Sequence, residues 1–301
     1  MALSAPLPKF VRVYEVGARD GLQNEVESLK PDIRIRLIEK LVDAGIRSIE
    51  AGSFVSPKWI PQMAGTDEVF AKLRRDGRAT YAALVPNERG MLAAIDSRAD
   101  EVAVFAAASE SFSQRNINCS ISQSLARFEP VMALAQTHKI AVRGYVSCVI
   151  GCPYEGVINP AAVRTVSDAL FDLGCYEVSL GDTIGVGTPL SFQQMLEAVM
   201  KDHDTQLAVH CHDTYGQALA NIYASLQMGV SVVDSSVAGL GGCPFAKGSS
   251  GNVATEDLLY MLEGLGIETG IDLDKMIEAG QFISKLLGRE SQSKVARAKT
   301  A

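Results

Sequence analysis

Strand-like and helix-like segments alternate from one end of this chain to the other, and that alternation constrains the fold more than any other feature of the sequence. Short runs with β character fall at Phe10–Val16, Ser48–Ala51, Ala79–Leu84, Glu101–Ala106, Ala141–Ser147, Tyr176–Leu180, Ala208–His212 and Val232–Ser235. Between them lie stretches whose apolar residues return every three to four positions, among them Ile33–Ala44, Ser124–His138, Pro160–Leu173 and Gln217–Met228. Several such stretches end in glycine, at Gly45, Gly174, Gly229 and Gly266, where a helix C-cap favours a left-handed residue. Eight units with no Pro/Gly/Ser linker between them predict an α/β fold, a closed (β/α)8 TIM barrel in one domain over residues 1–301. The doubly wound alternative opens with Gly-x-Gly-x-x-Gly after its first strand, and Val16-Gly17-Ala18-Arg19-Asp20-Gly21 does not match. Residues 271–301 are predicted to be accessory: additional C-terminal helices, then a polar end, Gly288–Ala301, expected to fray.

Composition narrows what such a barrel can do. Hydrophobic residues make up 47% and charged residues 21%, enough apolar material for a packed core and no case for disorder. The net charge is −7, and no Lys/Arg-rich tail or basic stripe interrupts the chain, so nucleic acid is excluded as an expected partner. No apolar run approaches the roughly 20 residues of a membrane helix, so no membrane association is expected. The six cysteines, Cys119, Cys148, Cys152, Cys175, Cys211 and Cys243, have no disulfide-scaffold spacing and no secretory leader before them, which predicts a cytoplasmic protein with reduced thiols.

In a barrel the reactive groups gather at the C-terminal ends of the strands, and the polar residues there form a short list: Arg19, Asp20, Glu50, Ser147, Asp182, His210, His212, Cys243 and Asn252. His210 and His212 end the seventh strand with period two, so they share a face while Cys211 points away. Two of the four histidines in the chain meet here, and Asp20, after the first strand, is the candidate third ligand of a divalent cation. Two simply hydrogen-bonded histidines would show the same spacing. Mixed N/O ligation with open positions suits Mg²⁺ or Mn²⁺, with Zn²⁺ the alternative. Arg19 is either half of a loop salt bridge or a fixed cation for a developing enolate. Glu50 and Asp182 are either reactive carboxylates or buried members of a network that orients Arg19 or bound water. Cys243 lies in the glycine-rich segment 239–248, as an exposed thiol able to exchange a proton or an inert small residue. Asn252 is either a fourth ligand or the N-cap of a helix beginning near Thr255. Cys148 and Cys152 lack the partners of a zinc or redox motif and read as structural.

Taken together, Arg19–Glu25, Ser53–Met63, Asn116–Ser120, Arg143–Gly156, Cys175–Pro189, His210–Ala220 and Gly229–Gly266 closely resemble the 3-hydroxy-3-methylglutaryl-CoA lyase family, and the similarity runs from Val11 to Arg297. The resemblance implies a metal-dependent carbon–carbon lyase that cleaves an acyl-CoA substrate, (S)-3-hydroxy-3-methylglutaryl-CoA, to acetyl-CoA and acetoacetate in leucine degradation. It also implies a homodimer or larger homo-oligomer. Carried over by motif, Asp20, His210, His212 and Asn252 bind Mg²⁺ or Mn²⁺. Arg19 stabilises the enolate, Cys243 is the catalytic thiol of a mobile loop, and Glu50 and Asp182 complete the catalytic network. The alternative is a related lyase or aldolase acting on another 3-hydroxyacyl-CoA or hydroxy acid. Three places depart from the animal members: Ala18 stands where they have Pro, Val26 where they have Lys, and the chain ends Lys299-Thr300-Ala301 with neither a cysteine nor a peroxisomal signal.

Overall fold

The computed structural model of the chain describes residues 6–200, 206–242 and 251–300. Eight parallel strands close into a barrel: β1 (Arg12–Glu15), β2 (Ser48–Ser53), β3 (Thr80–Leu84), β4 (Glu101–Ala107), β5 (Ala141–Ser147), β6 (Glu177–Asp182), β7 (Leu207–Cys211) and β8 (Val232–Ser235). Each pairs with the next in sequence, and β8 pairs back to β1 residue for residue from Arg12↔Val232 to Glu15↔Ser235. Closure leaves no free edge in the barrel sheet. A two-stranded hairpin, Gly151–Cys152 with Gly156–Val157, stands on the loop after β5.

Around the barrel run α1 (Pro31–Asp43), α2 (Thr66–Lys72), α3 (Glu88–Asp96), α4 (Glu110–Ile117), α5 (Ile121–His138), α6 (Pro160–Leu173), α7 (Pro189–Val199), α8 (Ala218–Gln227) and α9 (Thr255–Gly264). Local sequence fixes their ends. Asn159 caps α6 with Pro160 in its first turn, and Gly174 closes it at a φ of 108°, a left-handed value that spares a Cβ clash. Thr188 and Ser191 form a reciprocal capping box ahead of Pro189 at the start of α7.

Period-two alternation divides the side chains between two layers. Val13, Val102, Val178 and Val233 face outward into the helix layer and join one continuous apolar core. The lumen is more polar: Tyr14, Glu101, Arg143, Glu177, Ser179 and Asp234 are all buried there. Arg143 donates to Glu177 and Asp234, Tyr14 and Tyr176 donate to Glu101, and Arg12 pairs with Glu177.

Residues 271–300 do form additional helices. The first, α10 (Leu273–Leu287), packs against α1 and α9, with Phe282 beneath Arg36 and Lys40. The expected fraying of the polar end is not what the structure has: Lys294–Thr300 is a further helix, α11, docked on α9. Asp257 holds it, accepting Ser293 Oγ at 2.6 Å and the backbone N–H groups of Lys294 and Val295. Two of the N–H groups a helix start leaves open are satisfied by a carboxylate distant in sequence.

Candidate metal and active site

Where β1 ends, the chain takes a single π-helical turn, Gly17–Gly21, instead of a loose loop. A Cβ at Gly17 would lie 2.6 Å from Glu15 Oε1, and one at Gly21 would lie 2.7 Å from Leu240 Cβ, so the turn is seated too closely for larger residues. It carries Arg19 and Asp20 over the mouth of the barrel.

Opposite them, the end of β7 presents His210 and His212 with ring centroids 5.3 Å apart, while Cys211 is buried in the core behind. Strand β8 lies between β7 and β1, close enough that candidate ligand atoms of Asp20, His210 and His212 all fall within 4.8 Å of one another. These three residues are a candidate divalent-metal site, with a donor set suited to Mg²⁺ or Mn²⁺. Two features of the imidazoles fit a cation. His212 Nδ1 is buried with no hydrogen-bond partner, while the ring also bonds the Thr183 backbone. Burial, with His210 beside it, lowers the pKa of His212 to about 4 and keeps the ring neutral, as a ligand must be. His210 Nδ1 lies 3.3 Å from Asp234 Oδ2. Burial works against the charged form of His210, but Asp234 and Asp20 outweigh it and raise its pKa.

Arg19 joins this cluster to Glu50. Its guanidinium meets Asp20 Oδ1 at 2.8 Å and Glu50 Oε2 at 2.6 and 2.7 Å, and the Tyr145 ring lies 5.8 Å from its central carbon. Burial alone would raise the Asp20 pKa, but Arg19, the two imidazoles and the Asn252 amide bring it down to about 2. Burial pushes the Glu50 carboxyl above its ordinary range against the pull of Arg19, and its Oε1 has no hydrogen-bond partner. Glu50 points inward beside a β-bulge in β2, where the register with β3 shifts between Glu50 and Gly52.

Asn252 is not a helix N-cap: α9 begins beyond it, with Ala254 in the cap position. Its backbone bridges to His212, and its side-chain amide donates to Asp20 Oδ2 at 2.9 Å and to the Leu240 carbonyl. Asp182 ends β6 beside Cys211, near enough to His210 for their charges to interact. It accepts the backbone N–H groups of Val186 and Gly187 at 3.2 and 2.8 Å, shaping the loop after β6, and burial raises its pKa to about 6. Ser147 ends β5, half-buried. Cys148 and Cys152 are buried, as are Cys119, Cys175 and Cys211, and none of these five forms a disulfide. Cys243 lies outside the described residues.

Two residues beside the site are absent from the expectations drawn from sequence. Asp234 and Arg143 lie within strands, below the mouth, and the strand-end rule passes over them. Their signal is a charged residue in an otherwise apolar parallel strand, Val232-Val233-Asp234 and Val142-Arg143-Gly144.

Comparison with known proteins agrees with this geometry. The model of the HMGL-like family matches residues 10–283. A 3-hydroxy-3-isohexenylglutaryl-CoA/hydroxy-methylglutaryl-CoA lyase of Pseudomonas aeruginosa is 59% identical over 97% of this chain and 98% of its own length. The mitochondrial hydroxymethylglutaryl-CoA lyase of Homo sapiens is 57% identical, covering 97% of this chain and 90% of the relative. Among solved structures, a hydroxymethylglutaryl-CoA lyase from Pseudomonas aeruginosa superposes with a TM-score of 0.96 at 58% identity, covering 98% of both chains.

Proposed function

The chain belongs to the HMGL-like family, and from that premise we propose that it is a metal-dependent lyase that cleaves (S)-3-hydroxy-3-methylglutaryl-CoA to acetyl-CoA and acetoacetate. The observation that carries the reading is the convergence of Asp20, His210 and His212 with Arg19 beside them at the barrel mouth. Asp20, His210 and His212, with Asn252 adjoining, would hold Mg²⁺ or Mn²⁺. The cation supplies Lewis-acid polarisation of the substrate's oxygens.

The rest of the reaction falls to the chain's own groups. Arg19, always charged and fixed by Glu50, offers N–H donors to the enolate oxygen that develops as the C2–C3 bond breaks. Glu50 holds that guanidinium in place. Asp182 acts within the catalytic network by shaping the loop after β6. The C3 hydroxyl loses its proton as the C2–C3 bond breaks and the acetoacetate carbonyl forms, and Cys243 is the proposed thiol that gives a proton to the acetyl-CoA enolate carbon. The chain works as one catalytic domain with residues 271–301 accessory, and as a homo-oligomer, a reading that rests on the family resemblance. Five cysteines outside any disulfide support a reducing compartment, which we assign to the cytoplasm. Among the described residues no helix is long and apolar enough to cross a membrane.

A second reading, a lyase for a related 3-hydroxyacyl-CoA, is favoured by one observation: the Pseudomonas aeruginosa relative is named for an isohexenyl substrate as well as the methyl one. A coupled assay on chelator-stripped protein separates them. Equal amounts of acetyl-CoA and acetoacetate from 3-hydroxy-3-methylglutaryl-CoA, dependent on added Mg²⁺ or Mn²⁺, are expected. Cleavage of a longer-chain analogue without cleavage of the methyl compound moves the assignment to the second reading.

A further inference from the structure

We propose that Asp234 is a positioning residue for the metal site, held rigid from below by Arg143 and Ser179 so that it presents His210 to the cation through one ring nitrogen only. The proposal rests on the metal reading of Asp20, His210 and His212 and assigns the support beneath it.

Strand pairing starts the case. Asp234 of β8 is in register with His210 of β7, so their side chains lie next to each other on the lumen face. His210 Nδ1 lies 3.3 Å from Asp234 Oδ2. The same carboxylate accepts Arg143 at both oxygens, at 2.7 Å on Oδ1 and 3.1 Å on Oδ2, and Ser179 Oγ at 2.7 Å on Oδ2. Arg143 is itself fixed. Its Nε bonds Glu177 at 2.7 Å, and its central carbon lies 4.0 Å from the Tyr14 ring centroid and 5.0 Å from that of Tyr145. A carboxylate gripped by a two-pronged guanidinium and a hydroxyl cannot turn, so the direction of its remaining lone pair is set by the barrel. Asp234 accepts from Arg143 and Ser179, so toward His210 it acts again as an acceptor: His210 donates through Nδ1, which leaves Nε2 as the nitrogen with a free lone pair. A carboxylate that fixes the tautomer and aim of a ligating imidazole typically matters 10- to 100-fold in metal affinity.

The test is Mn²⁺ binding to the full chain after chelator treatment, read by the electron paramagnetic resonance signal of free Mn²⁺ and paired with a thermal melt. Asp234→Asn keeps shape and removes the charge; it is expected to weaken Mn²⁺ binding by roughly 10- to 100-fold. Tyr176→Phe disturbs the lumen network at Glu101, outside the grip on Asp234, and its Mn²⁺ affinity is expected to stay near the parent value. Parent-like affinity in a folded Asp234→Asn overturns the proposal, and so does an equal loss in both variants, which marks a purely structural role. If Asp234→Asn does not fold, Ser179→Ala decides: it leaves the Arg143 pair intact, and several-fold weaker Mn²⁺ binding at an unchanged Tm supports positioning, whereas unchanged binding overturns it. Absence of Mn²⁺ binding by the unsubstituted chain overturns the metal reading itself, and this proposal with it.

Discussion

Arg19 stands between two carboxylates that would repel one another without it, Asp20 at 2.8 Å and Glu50 at 2.6 Å. A planar guanidinium serves both at once, which a point-like ammonium does not. Arg19→Lys is therefore expected to lower turnover by ~10²-fold or more, the scale of losing one donor to a developing oxyanion. Steady-state kinetics at saturating Mg²⁺ measure it, and undiminished turnover would take Arg19 out of the reaction. At this scale the sequence disclosed what lies at strand ends. The spacing of His210 and His212 put two imidazoles on one face, and Asp20 followed from β1 and β7 both lying beside β8. Asp234 and Arg143 stayed hidden because their meaning depends on each other, and they are 91 positions apart. Asn252 offers two readings in the sequence; the helix start beyond it removes the N-cap, and its amide lies on Asp20.

Among the elements, β2 shows how a local irregularity serves the site. Its bulge is gripped by Arg34 of α1, which donates to the carbonyls of Ala51 and Ala64 at 3.3 and 3.0 Å and to Thr66 Oγ1 at 3.1 Å. A Cβ at Gly52 would come within 2.7 Å of Thr66 Cγ2 and 2.9 Å of Arg34 Nη2, so the grip needs glycine there. Burial lowers the Arg34 pKa to about 10, and the side chain remains protonated at neutral pH. Arg34→Met leaves the buried Ala51 carbonyl without this donor, at a cost of about 1–3 kcal/mol. We expect a lower unfolding midpoint in urea and a loss of turnover as Glu50 and Arg19 lose their register; a variant as stable and active as the parent would show that the bulge holds without Arg34. The eight strands were legible because each combines β-branched residues with a following helix or turn signal, and their ends fall within a few residues of expectation. Strand β2 runs on to Ser53 because the bulge at Ala51 lets pairing resume. Helices α2 to α4 are too short for periodicity to announce them, and α11 depends on Asp257, a partner that composition does not reveal.

Taken whole, the molecule carries a pH dependence in the seam where its first and last strands meet. Glu15 of β1 accepts the N–H groups of Gly17 and Val237 and the Thr255 hydroxyl, while Glu256 of α9 accepts the N–H of Ala238. Burial outweighs these hydrogen bonds and raises the two carboxyls from an ordinary value of 4.5 to about 7 and about 8. The native state thus binds their protons more tightly than the unfolded chain does, so stability falls as pH rises from about 4.5 to 8. Asp20, brought down to about 2, acts the other way and loses its contribution only in acid, between pH 3.8 and that value. Thermal melts of metal-free protein from pH 5 to pH 8.5 are expected to show a falling Tm, and the Glu15→Gln, Glu256→Gln double variant a flatter profile; equal slopes would place the dependence elsewhere. The same seam has a consequence for how the protein is made. The bond from Asn252 to Asp20 spans 232 positions, and His210 and His212 sit nearly as far from Asp20 along the chain. On a ribosome Asp20 emerges early and then waits while almost the entire barrel is synthesised behind it. A nascent chain that has not yet reached His210 owns one carboxylate of the candidate cluster and neither imidazole, so the cluster is complete only once the last strands have emerged.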